Sequence, residues 1–112
     1  MKIITFTTLL LSLAITGCQQ QQASSTDTNI DAVTTALEKS DITLGGYIEK
    51  LESEFTSEDI RTQIICKDYP REYKTNYAPN MLKLSSEYTE ALLLSDLDRV
   101  LDFYKAKDQI QC

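Results

Sequence analysis

The chain has 112 residues, a formal net charge of −6, three cysteines, and no histidine or tryptophan. That length holds one small domain. Without imidazole, Ser-His-Asp triads, Cys-His dyads and most zinc sites are excluded, and an acidic chain of pI about 4.5 lacks the basic surface that nucleic-acid phosphates require.

Met1-Lys2 opens the chain with one early positive charge, and Ile3 to Ile15 is an uncharged run of thirteen residues. A bilayer span needs about twenty apolar residues, so this run is too short to cross. A basic start, a short apolar run and small residues at its end predict a secretory signal peptide. The run closes on Ile15-Thr16-Gly17-Cys18, an aliphatic residue, a small one, Gly and then Cys.

This tetrad resembles the lipobox of bacterial lipoproteins. The resemblance covers residues 1–18 only and implies cleavage between Gly17 and Cys18, with acylation of Cys18. Several acyl chains give a stable anchor, since each buried CH₂ contributes about 0.8 kcal/mol. The residue after the cysteine is Gln19 rather than Asp. In the Gram-negative sorting pattern this implies the periplasmic face of the outer membrane; a Gram-positive cell surface is the alternative. Loss of Lys2 with the signal takes the net charge from −6 to −7.

Residues 18–28 are expected to be the lipidated cysteine and a polar tether. The tether reads QQQQASSTDT from Gln19 to Thr28 and buries too little apolar surface to offset its ordering entropy. Residues 29–112 are expected to form the domain. Ile30, Val33 and Leu37, then Leu44, Ile48, Leu51 and Phe55, step by three and four along one helical face. Gly45-Gly46 interrupts that face. Each glycine costs about 1 kcal/mol in a helix interior, and Ser40-Asp41 is a fitting cap, so a break between two helices is expected there.

Thr56-Ser57-Glu58-Asp59 is a helix start, with Ile60, Ile64 and Ile65 on the buried side of the helix that reaches Cys66. Pro70 is expected to end or kink it, and Tyr73 and Tyr77 to lie on a further short piece closed before Pro79. The last helix is expected to open at Ser85-Ser86-Glu87 and to close at Lys105 and Lys107, where the basic residues suit the dipole. Its stripe is Tyr88, Leu92, Leu93, Leu97, Val100, Leu101 and Tyr104, with a corner allowed at Ser95-x-x-Asp98. No strand alternation or hairpin turn occurs, so the fold class is all-α: a small bundle of three to five short helices closed by one disulfide.

That disulfide is expected between Cys66 and Cys112, the pair left once Cys18 carries lipid, because an exported chain meets an oxidising compartment. A reactive Cys66 thiol beside Lys67 and an intermolecular bridge through Cys112 are the alternatives.

The carboxylates at Glu49, Glu52, Glu54, Glu58 and Asp59, and at Asp96, Asp98 and Asp102, read as solvated helix faces. Asp96-x-Asp98 begins like a calcium loop, but Val100 stands where a ligand belongs. No catalytic residue, metal site or cofactor is expected. Residues 67–77 hold three of the six tyrosines. Tyr69, Tyr73 and Tyr77 sit four apart, and with Arg71 they are of the types enriched at binding hot spots. They are the candidate contact surface for a protein partner. The alternative is a core edge with its hydroxyls in water.

Together these features predict a membrane-anchored envelope lipoprotein acting as a non-enzymatic protein-binding module of the immunity, exclusion or inhibitor type. A structural or assembly factor of an outer-membrane complex is the first alternative. A carboxylate-based envelope hydrolase is a weaker one.

Overall fold

The computed structural model describes residues 25–112. The signal peptide, the lipobox with Cys18, and residues 19–24 of the tether lie outside the described residues. Three helices make up the regular structure among the described residues, and no strand occurs there. They are α1 (Ser25–Glu52), α2 (residues 58–84) and α3 (Glu90–Asp108).

Helix α1 begins inside the segment expected to be tether and runs unbroken through Gly45-Gly46. The expected break is absent for an energetic reason. Leu37, Ser40 and Leu44 are buried before the glycines and Leu51 after them, all against the rest of the molecule. Burying one leucine gains about 1.5–3 kcal/mol, so packing on both sides outweighs two glycine penalties. Ser40 is therefore no cap. It is 1% exposed in the helix interior, and its hydroxyl has no partner.

Helix α2 starts where expected. The Ser57 hydroxyl accepts the Ile60 N–H at 3.3 Å, and Glu58 and Asp59 fill the first turn. Ile64 and Ile65 are buried, whereas Ile60 is half exposed and outside the core. Neither proline ends the helix. Both are taken up by π-helical turns, Ile64–Asp68 and Tyr73–Tyr77, each finishing two residues before a proline. The Tyr69 N–H donates to Ile64 O and the Ala78 N–H to Tyr73 O, five residues back. A proline ring collides with the carbonyl four residues earlier. A widened turn relieves that collision, and Pro70 and Pro79 then occupy the first turn of the following α segment, where no N–H is needed.

Helix α3 opens at Thr89, whose hydroxyl accepts the Leu92 N–H at 3.1 Å, later than Ser85-Ser86-Glu87. It runs straight past Ser95 without a corner and buries Leu93, Leu97 and Tyr104. Lys105 and Lys107 lie in its last turn. The chain then turns through Gln109 in the left-handed conformation, φ 54°, and the Ile110 N–H donates to Lys105 O at 2.9 Å. This drives Ile110 into the core and brings Cys112 to Cys66 on the first π turn, with the disulfide spanning 5.5 Å between Cα atoms.

The glycine pair gives a direct test. A Cβ added at Gly45 or Gly46 meets nothing within 4 Å. Gly45→Ala and Gly46→Ala are each expected to raise the unfolding free energy by about 1 kcal/mol in urea titrations. A loss of stability in either variant would show that the helix needs glycine there.

Candidate functional site

The carbonyls at the end of α1 have no glycine or asparagine to turn a left-handed cap over them, so they need donors from elsewhere. Arg61, in the first turns of α2, supplies them. Its Nη1 donates to Leu51 O at 2.7 Å, its Nη2 to Ser53 O, and its Nε to Thr56 O at 3.0 Å. Nη1 also pairs with Asp108 Oδ2 at 3.1 Å, with both side chains 14% exposed. A planar fork of donors suits three carbonyls and a carboxylate at once. The cation also sits at the negative end of α1 and neutralises Asp108, which alone would oppose the dipole of α3.

Beside it, Glu52 accepts the Tyr104 hydroxyl at 2.6 Å and Lys107 Nζ at 3.0 Å. These two donors hold the Glu52 carboxyl below its ordinary range. Lys107 also lies 5.5 Å from the Tyr104 ring centre. The end of α1, the start of α2 and the end of α3 are thus joined by side chains, and the disulfide fastens the tail close by in sequence to the same helix start.

The loop between α1 and α2 is ordered by the same contacts. Within it the Phe55 N–H donates to Ser53 Oγ at 3.2 Å and the Thr56 N–H to Ser53 O at 3.4 Å. Phe55, expected on the buried face of α1, lies beyond the helix end and is 96% exposed.

Of the residues singled out from the sequence, Cys66 and Cys112 are joined to each other within the chain. The tyrosine ridge exists but faces inward. Tyr69 and Tyr73 are core residues, Tyr77 is half buried, and Tyr47 on α1 packs against Tyr69 with ring centres 6.4 Å apart. The rings of Tyr69 and Tyr73 lie 6.4 Å apart, and those of Tyr73 and Tyr77 4.8 Å apart. A turn closed five residues back holds more than 3.6 residues, so side chains four apart stay on one side of the helix. Arg71 points the other way, exposed and paired with Asp68 at 3.1 Å. The four residues therefore do not form one exposed contact surface.

Two open grooves flank the helices. One is lined by Ile30, Val33, Asn80, Lys83 and Leu84 among others, the second by Ile48, Tyr69, Arg99, Val100, Phe103 and Tyr104. No carboxylate lines either, and among the described residues no three metal-ligating side chains come together. No helix among them is long and apolar enough to cross a membrane. No family model, curated protein or solved structure matches the chain.

The joint role of Arg61, Glu52 and Tyr104 at this junction, and the exposure of Phe55, escape sequence reading. The usable signal is a helix end, Leu51-Glu52-Ser53-Glu54, with no capping glycine and a lone arginine ten residues after Leu51.

Burial raises the phenol pKa of Tyr69 and Tyr77, and pushes those of Tyr73 and Tyr104 up to about 12; for Tyr104 the hydrogen bond to Glu52 adds to burial. The linkage sign follows from protons held longer in the folded state. The contribution of these phenols is fully present below pH 10, the ordinary value, and is lost as the pH rises from there towards about 12. Urea midpoints measured across this window are expected to drop steeply above pH 10. A flat profile would contradict the buried ridge.

Proposed function

We propose that the chain is a small, membrane-anchored, disulfide-stabilised lipoprotein of the bacterial envelope that acts as a non-enzymatic protein-binding module of the immunity, exclusion or inhibitor type. The observation that carries the reading is the bond between Cys66 and Cys112, joined on a chain whose remaining cysteine stands in a lipobox-like tetrad. Disulfides persist in exported proteins, and an apolar leader followed by Cys18 supplies both export and anchor. In this reading the lipid on Cys18 holds the protein to the periplasmic face of the outer membrane, as Gln19 implies.

The bridge closes a loop of 46 positions. The chain-entropy relation puts its contribution at about 4 kcal/mol, large for a domain of this size. A short, durable domain of this kind suits a role of holding or blocking a partner.

Mass spectrometry of the mature protein and membrane fractionation test the reading together. The wild-type chain is expected to begin at an acylated Cys18 and to sediment with envelope membranes. Cys18→Ser is expected to lose the acyl mass with the Cys66–Cys112 bond intact. A wild-type chain that is unacylated, or that stays in the soluble fraction, would overturn the lipoprotein reading.

A further inference from the structure

Residues 51–66 contain four acids and one cation, Arg61. That cation is turned inward onto three carbonyls and Asp108. Glu52 is matched by Lys107. Glu54, Glu58 and Asp59 are exposed and make no ion pair among the described residues. They surround the sequence position of Phe55, the most exposed large apolar side chain described.

A phenyl ring left in water forgoes about 1.5–3 kcal/mol of burial. On a frayed loop such exposure is unremarkable, because the ring samples many positions. Here the loop is fastened on both sides, by Arg61 to Ser53 O and Thr56 O and by the Ser53 hydroxyl to the Phe55 N–H. The ring is therefore held out on backbone that is already ordered. Binding through it costs little further ordering entropy, the condition under which one aromatic side chain contributes most.

We infer that Phe55 is the anchor of a docking surface for a partner protein whose own site is an apolar pocket edged by Lys or Arg. This rests on the protein-binding reading above and adds the place and the partner's chemistry. Three observations select this occupant. The carboxylates of Glu54, Glu58 and Asp59 complement and steer towards a basic rim. A second copy of the chain would bring the same three acids against their like. The membrane that carries the protein lies at the other end: α1 has 28 residues, so its first residue, next to the tether, and the Phe55 loop are separated by about 42 Å of helix.

Photo-cross-linking in cells tests this with the full-length, lipidated protein. A benzophenone amino acid is placed at position 55 and, in separate strains, at exposed positions 42 and 103. The expected result is a single protein adduct from position 55, with the cross-linked segment apolar and flanked by Lys or Arg. Adduct yield from the position-55 probe is expected to fall about tenfold in the triple variant Glu54→Lys, Glu58→Lys, Asp59→Lys and to fall with added salt. Urea midpoints of the triple variant keep its folding separate from its binding.

An adduct of doubled chain mass, an adduct with lipid, or a partner segment lacking basic residues would overturn the proposal. So would a yield unchanged in a folded triple variant. Adducts from positions 42 or 103 with none from 55 would overturn this surface and keep the protein-binding reading. No protein adduct from any of the three would overturn both. If the triple variant fails to fold, Glu54→Gln, Glu58→Gln, Asp59→Asn replaces it, with the same direction expected and unchanged yield again overturning the proposal.

Discussion

The guanidinium of Arg61 is the contact on which the geometry of this molecule turns. It meets the end of α1, the loop that follows, and the end of α3 within a single planar group. Taking a cation to 14% exposure is costly unless its donors are satisfied, and here each of its three nitrogens has an oxygen partner. Removing it would take the Arg61 donors from Leu51 O and Thr56 O and leave Asp108 without its cation. The disulfide works differently. It restrains the unfolded chain across 46 positions, whereas Arg61 specifies how the folded ends meet. The two are linked through the short tail, since Ile110 and Cys112 follow directly after Asp108.

The helices themselves were legible in the apolar spacing because a 3.6-residue stripe has one stable use. The Ser57 start, the Ile64-Ile65 core, the Lys105 and Lys107 end and the Cys66–Cys112 pairing all follow from local chemistry. Signals that compete with packing were misleading. Gly45-Gly46 reads as a break in isolation, yet the core on both sides of it keeps α1 whole. Pro70 and Pro79 read as stops, yet a widened turn ahead of each lets α2 continue. The same widening decides the tyrosines. Their spacing predicts a ridge, and the ridge forms, but composition alone does not say which side of a helix faces the core.

Arg61 and Phe55 lay beyond sequence reasoning for different reasons. The ion pair of Arg61 depends on where the end of α3 returns, 47 residues later at Asp108, and a long-range contact of that kind leaves no periodic trace. Phe55 continues the apolar stepping of α1, and only the end of that helix at Glu52 puts it out in the loop. What the sequence does carry is a deficit: α1 ends with unsatisfied carbonyls and no glycine to cover them. Such a deficit marks where a donor must come from, and the nearest candidate is the one the fold uses.

The proposed function builds on the same arrangement. In that proposal a lipid on Cys18 stands at one end and a clamped loop at the other, with the ordered helix α1 between them. Arg61 orders the far end of the domain. Urea unfolding of Arg61→Lys isolates its part, because lysine keeps the charge and loses the planar fork. The expected loss is about 2 kcal/mol, within the range for a lost hydrogen bond from a charged group. A change within about 0.5 kcal/mol, typical of an ordinary surface substitution, would contradict it.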